Sequence, residues 1–141
     1  MLRLHHSVEM ERAMAVNEES RQVEIAETLS EVARSLVRST RVVPRPFDSY
    51  SLLGSLAVAQ EVLAQIYAQL AEWHGQVLQG VHHSGEDERG SLDNPGWARA
   101  ELELQDAAHH AAAAEASLRR AHSANGVVKW FDEARQVIDE G

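Results

Sequence analysis

The sequence predicts an all-α protein, an up-down helical bundle of three long helices plus a short C-terminal helix. Apolar residues recur at alternating steps of three and four over long segments, and glycine and proline cluster between those segments. Alanine is abundant and aromatic residues make up only 5% of the chain, a composition that favours helices. The 141 residues are enough for one domain with a real core, and we expect that domain over residues 18–141.

The central helix is predicted over residues 49–81. Its apolar seam, the stripe of positions spaced by four and three residues, has eight members: Leu52, Leu56, Ala59, Leu63, Ile66, Leu70, Trp73 and Val77. A seam of this length predicts that the helix buries the stripe against other helices. Val62, Tyr67 and Leu78 widen the stripe, so we expect more than one neighbour.

An earlier helix is predicted over residues 18–40. Acidic residues lie early in it and arginines late, an order that complements the helix dipole. Its seam is shorter: Ile25, Leu29, Val32 and Leu36. Pro44 and Pro46 end this helix, because proline removes a backbone donor and restricts the residue before it.

A third helix is predicted from Pro95 to about Ala124, with Asn94 as a suitable N-cap. Most members of its seam are alanine: Trp97, Ala100, Leu104, Ala107, Ala111, Ala114, Leu118 and Ala121. Small side chains allow two helix axes to approach closely, so we expect this face to pack tightly on the central helix. Gly126 ends the helix and is able to take a left-handed conformation.

Three other segments are less periodic. Residues 1–17 are predicted to be a frayed terminus or a short helix. Residues 81–94 are polar and predict a flexible loop. After Gly126 a short last helix is predicted to begin at Val127, with its apolar members at Val127, Trp130, Phe131, Ala134 and Ile138.

Composition excludes several classes of function. The formal net charge of −9 argues against broad contact with nucleic acid, which needs a positive face. The absence of cysteine excludes disulfides and thiolate metal sites. We find neither a signal peptide nor an apolar run long enough to cross a membrane, so a cytoplasmic protein with no membrane partner is expected. Arginine and alanine usage is typical of a GC-rich bacterial coding sequence.

No catalytic constellation is visible, and no cofactor is predicted. We find no nucleophile beside a base, no phosphate-binding glycine loop and no paired carboxylates in an apolar setting. Eight histidines leave a metal-binding bundle as an alternative, with His74, His82 and His109 as the candidate ligands. The Glu-x-x-His motif of carboxylate-bridged di-metal bundles is missing from the central helix.

A second alternative comes from the tripeptide Trp73-His74-Gly75. It resembles the Trp-x-Gly motif of small type VII secretion substrates, which are helical hairpins of about one hundred residues. The resemblance covers these three residues and implies a secreted hairpin protein. The secretion signal of that family, a tyrosine with an acidic residue four positions later, does not follow the third helix in this sequence.

The favoured interpretation is a non-enzymatic helical bundle, a scaffold, adaptor or regulatory subunit that acts through protein–protein interaction or self-association. Two long seams without a reactive site motivate it, and we expect a homo-oligomer. Two sets of residues are candidates for the contact. One is a basic stripe that forms if the first helix persists: Arg34, Arg38, Arg41 and Arg45. The other is the small-residue face of the third helix: Ala107, Ala111 and Ala114.

Overall fold

The computed structural model describes residues 20–43 and 45–137, and all regular elements in these ranges are α-helices. They are α1 (Gln22–Ser39), α2 (Asp48–Gly75) and α3 (Gly96–Asn125). The all-α class is therefore confirmed, and α3 lies within one residue of its predicted bounds. The predicted N-terminal segment, 1–17, is outside the described residues.

Contacts within the chain define two units, residues 1–43 and residues 44–141. The first contains α1, and the second contains α2 and α3. The three-helix up-down arrangement and the single domain over 18–141 stay predictions.

The first unit presents α1 as an amphipathic helix whose apolar seam is largely exposed. Ile25 and Leu29 keep nearly half of their surface, and Val32 keeps more. The helix ends at Ser39, before the first proline. Both the backbone N–H and the hydroxyl of Thr40 donate to the carbonyl oxygen of Leu36, each at 2.8 Å.

In the second unit α2 and α3 form an antiparallel hairpin. At one end Tyr50, near the start of α2, stacks on His122, near the end of α3, with ring centroids 3.9 Å apart. At the other end the carboxylate of Glu101, early in α3, lies against Gly75, the last residue of α2. The start of each helix therefore meets the end of the other.

Small side chains form the contact between these two helices. Ala57 and Ala71 of α2 and Ala111 of α3 are between 1% and 5% exposed. The predicted seam of α3 faces this contact, since its central members are buried or half-buried: Ala100, Leu104, Ala107, Ala111, Ala114 and Leu118. The close approach predicted for α3 is thus seen.

The prediction for α2 is wrong about which stripe meets α3. The contacting stripe carries Gly54, Ala57, Ala71 and Gly75, and it includes no member of the predicted seam. Within that seam Val77 is buried and the earlier leucines are half-buried, whereas the residues from Ile66 to Trp73 are exposed. The small-residue stripe is the side that packs on α3, because small side chains let the axes of the two helices approach each other.

Helix α2 is also shorter than predicted, since it ends at Gly75. Glycine weakens a helix, and here it sits where the Glu101 carboxylate occupies the space of a Cβ atom. The N–H of Gln76 turns back to the carbonyl oxygen of Trp73 at 3.0 Å. The N–H of Leu78 is then taken by Nδ1 of His82. A backbone carbonyl and the ring of His82 thus accept the N–H groups that a longer helix would have paired.

The connecting segment, 76–95, is held by its own hydrogen bonds. Gly80 and Gly85 have φ of +86° and +125°, conformations that favour glycine. The carboxylate of Glu86 accepts a hydrogen bond from the N–H of Trp97 at 3.2 Å and so satisfies an unpaired donor in the first turn of α3. The predicted flexibility of residues 81–94 stays a prediction.

The predicted last helix is absent from the described residues after Gly126, which run to residue 137. The indole N–H of Trp130 donates to Asn125, whose side-chain oxygen is 2.9 Å away and whose carbonyl oxygen is 3.1 Å away. The carbonyl oxygen of Phe131 accepts from the N–H of Phe47. A local bond to Asn125 and a long-range bond to Phe47 thus hold the segment at the end of the hairpin in a non-helical conformation.

Gly126 does not take the predicted left-handed conformation, because its φ is −66°. A Cβ atom at this position would lie 2.9 Å from Cε2 of Tyr50. Close approach of the aromatic ring, and not a special backbone conformation, therefore explains the glycine.

Candidate protein-interaction surface

A row of large apolar side chains runs along the side of α2 that faces away from α3. We call it the outer stripe; its members are Val58, Val62, Ile66, Leu70 and Trp73. They are spaced by four, four, four and three residues, and each is between 38% and 51% exposed. Single exposed apolar residues are normal on a protein surface, but a contiguous row marks a candidate contact surface.

Helical geometry explains why α2 has two apolar sides. Nine residues separate Ala57 from Ile66, and at about 100° per residue they point to opposite sides of the helix. The inner side, with its alanines and glycines, packs on α3. The outer side carries the valine, isoleucine, leucine and tryptophan side chains, and in the described residues of this chain nothing buries them fully.

Charge is absent from the outer stripe. Helix α2 contains no lysine or arginine, and its carboxylates are Asp48, Glu61 and Glu72. Glu61 accepts a hydrogen bond from Arg119 of α3 at 3.2 Å, which places it toward the hairpin contact. Glu72 lines a groove shared with α3. The outer stripe therefore offers an uncharged, apolar contact.

The groove shared by the two helices is polar at its rim. Its volume is about 620 Å³, and Ala68, Ala71 and Gly75 lie among its lining residues. Around them stand the polar members Glu72, Gln76, Glu101, Gln105 and His109.

The metal site predicted as an alternative is not formed. No group of three metal-ligating side chains comes together among the described residues, which include all three candidate histidines. Nδ1 of His74 lies 2.6 Å from the carbonyl oxygen of Leu70. Nδ1 of His82 accepts a hydrogen bond from the N–H of Leu78 at 3.0 Å. His109 lines the polar groove. Two of the three rings are thus engaged by backbone groups near the end of α2.

A polar and aromatic cluster closes the end of the hairpin opposite the connecting segment. The amide of Asn125 donates to the hydroxyl of Ser49 at 3.0 Å, and that hydroxyl donates to the carbonyl oxygen of Pro46. Trp130 donates to the same asparagine, as described above. The cluster borders a cavity of about 430 Å³. Its hydrogen bonds tie the start of α2 to the end of α3, so its observed role is structural.

One ion pair in the connecting segment shifts the pKa of both of its members. Arg89 donates to both carboxylate oxygens of Asp87, with a shortest distance of 2.6 Å to Oδ2. This bond, together with one from the N–H of Arg89, lowers the pKa of Asp87, and the carboxylate raises the pKa of Arg89. Both side chains are well exposed, so the pair shapes a local turn and creates no reactive carboxyl group.

The predicted basic stripe does not form one helical row. Arg34 and Arg38 lie on α1, but the helix ends at Ser39, so Arg41 follows it in a turn. Arg45 belongs to the second unit, where its guanidinium lies 3.9 Å from Asp48. The condition for the stripe, a helix that continues past residue 40, is therefore not met. A role of these arginines in binding stays a prediction.

The predicted small-residue face of α3 is already occupied. Ala111 is buried, and Ala107 and Ala114 are half-buried, on the side of α3 that packs on α2. These alanines hold the hairpin together, and their contact with a partner stays untested. The outer stripe is the surface that sequence reasoning missed as an exposed site. The sequence did contain a sign of this surface: Val62 widens the predicted seam beyond what one neighbouring helix would cover.

No known protein family, curated protein or solved structure matches this chain. Among the described residues, no helix combines the length and the hydropathy that crossing a bilayer requires.

Proposed function

We propose that this chain is a non-enzymatic helical protein that acts by helix–helix contact with another protein chain. The observation that carries the proposal is the outer stripe of α2, an uncharged row of five half-exposed apolar side chains. Water contact of such a row is unfavourable, so covering it with a second apolar surface stabilises a complex.

The hairpin supplies a rigid platform for this contact. Close-packed alanines hold α2 against α3, and the Tyr50–His122 stack and the Ser49–Asn125 hydrogen bond fix one end. The stripe is therefore presented on a helix that needs little reordering when a partner binds, and a preorganised surface loses less entropy on association.

The test compares charged substitutions on two exposed helix faces. Ile66→Asp lies in the outer stripe, and Leu102→Asp lies on α3, where Leu102 is 58% exposed. Circular dichroism first establishes that both variants fold. Association with itself or with proteins of the source organism, measured by light scattering and affinity capture, should be lost with Ile66→Asp and kept with Leu102→Asp.

Equal association of wild type and both variants would refute a role for the outer stripe. If Ile66→Asp does not fold, Leu70→Gln, a milder change in the same row, takes its place in the comparison.

A second candidate function, a secreted type VII-like hairpin protein, is favoured by one observation. The tripeptide Trp73-His74-Gly75 ends α2 at the point where the connection of an antiparallel hairpin begins. This position resembles the turn that carries the motif in that family. Export is measured by comparing the culture medium of the source organism with and without its secretion system. Retention in the cytoplasm in both strains would exclude this candidate.

A further inference from the structure

We infer that a second copy of this chain covers the outer stripe, with the two α2 helices antiparallel and the twofold axis near Ile66. This inference rests on the proposed function and names the partner of the same surface. Three properties of the outer stripe support the inference: the change in side-chain size along it, the distribution of charge around it and its exposed apolar area.

Side-chain size increases along the outer stripe, from its N-terminal to its C-terminal end. Val58 and Val62 are its smaller members, and Leu70 and Trp73 are its larger ones, with Ile66 between them. An antiparallel pair about Ile66 places Trp73 of each copy opposite Val58 of the other, and Leu70 opposite Val62. Large side chains then meet small ones, which fills the interface evenly. A parallel pair would crowd the two tryptophans and leave the valines loosely packed.

The charge distribution permits two acidic chains to meet on this face. The chain carries a formal net charge of −9, so two copies repel each other over most of their surface. The carboxylates Glu61 and Glu72 lie toward α3, where one contacts Arg119 and the other lines the groove. The outer stripe contains no carboxylate that could pair with a basic partner. The outer stripe of a second copy is itself uncharged and apolar, so the two surfaces match.

The exposed area fits a reversible dimer. Five side chains of this size, each about half exposed, leave on the order of 400 Å² of apolar surface, in the range of functional patches. Two facing stripes bury about twice that area, on the order of 800 Å², and half-buried Leu56 and Leu63 beside the stripe bring the total to about 1,000 Å², the size of a weak, transient interface. We therefore expect a dimer that dissociates on dilution.

Single cysteines test the geometry directly, because the chain contains no cysteine of its own. A disulfide requires Cα atoms within about 7 Å of each other. In the antiparallel pair the two copies of Val62 are offset by eight residues, about 12 Å along the helix, whereas Val62 of one copy lies opposite Leu70 of the other. The full-length variants are Ile66→Cys, Val62→Cys and Leu70→Cys, with Leu102→Cys on α3 as the matched exposed control.

Three results under mild oxidation would support the inference. Ile66→Cys forms a covalent dimer with itself. Val62→Cys mixed with Leu70→Cys forms a dimer more completely than either variant does alone. Leu102→Cys stays monomeric. If instead Val62→Cys links to itself and the mixture adds nothing, the pair is parallel and the antiparallel geometry is overturned.

Light scattering over a range of concentrations separates failure of this inference from failure of the proposed function. A dimer has twice the 15.6 kDa mass of one chain, and Ile66→Asp should raise its dissociation constant about thirtyfold or more, as loss of a central apolar contact does. A strict monomer would overturn the second copy as partner. The proposed function survives that result if Ile66→Asp abolishes capture of a different protein, and it falls as well if no association depends on the stripe.

Discussion

The two sides of α2 differ in a way that hydropathy does not explain. On the inner side, Ala57 and Ala71 are almost completely buried against α3. On the outer side, the much larger Leu70 and Trp73 keep about half of their surface exposed. Within this hairpin, burial therefore follows the fit between two helices and not the apolar character of the residues. Small side chains determine which sides meet, and the larger ones are left for another contact.

The largest effect should come from enlarging a residue inside the small-residue contact. Ala111→Leu adds bulk where α3 packs on α2, and overpacking of this kind typically lowers the free energy of unfolding by about 1–3 kcal/mol. Ala112→Leu is the control, because Ala112 is exposed on the same helix and leucine is nearly as good a helix former as alanine. Urea unfolding of both variants measures the difference.

Similar midpoints for Ala111→Leu and Ala112→Leu would show that the contact tolerates large residues. The comparison between the two sides of α2 would then lose its physical basis, since size would no longer decide which side is buried.

A smaller effect tests how closely the helices approach at the Tyr50–His122 end. A Cβ atom on Gly54 would lie 3.1 Å from Nε2 of His122, the ring that stacks on Tyr50. Alanine normally stabilises a helix interior by roughly 0.5–1 kcal/mol relative to glycine. We expect Gly54→Ala to lose most of that gain, because the ring must shift, and an aromatic pair is worth about 0.5–1.5 kcal/mol.

The double-mutant cycle with His122→Ala isolates this contact. Once the ring is removed, Gly54→Ala should recover its full stabilisation of roughly 0.5–1 kcal/mol. If Gly54→Ala raises the stability equally with and without His122, the helices are not in close contact at this position.

Periodicity in the sequence predicted the helices but could not show which side of α2 packs on α3. The predicted seam is a continuous apolar row, whereas the register from Gly54 through Ala57 to Ala71 is interrupted by Glu61, so the sequence pattern favoured the seam. Only the matching alanines of α3 decide between them, and that match is a property of two segments far apart in the chain. The outer stripe was therefore assigned to the core although its pattern was recognised.

The C-terminal segment shows a second limit of sequence reasoning. Val127, Trp130 and Phe131 have a spacing that is compatible with a helix, and the prediction of one followed from it. In the structure the indole of Trp130 binds Asn125 and the carbonyl of Phe131 binds Phe47. The first bond is local and the second joins residues far apart in the chain; together they override a weak helical preference, and the apolar spacing gives no sign of either.

The smallest effect should come from the polar side of the hairpin. Arg119 donates to Glu61 across the helices at 3.2 Å and to Glu115 within α3 at 2.9 Å. Arg119 and Glu61 keep about half of their side-chain surface exposed, so water and salt screen the pair, and exposed pairs contribute about 0.2–1 kcal/mol. A double-mutant cycle of Glu61→Gln and Arg119→Gln, measured by urea unfolding, should give a coupling energy in this range that shrinks at high salt.

Ala57 lies four residues from Glu61 on the same helix, and Ala57→Leu should destabilise the hairpin more than either charge substitution does. A coupling energy larger than the cost of Ala57→Leu would show that charges, and not the fit of small residues, select the sides of α2 and α3 that meet.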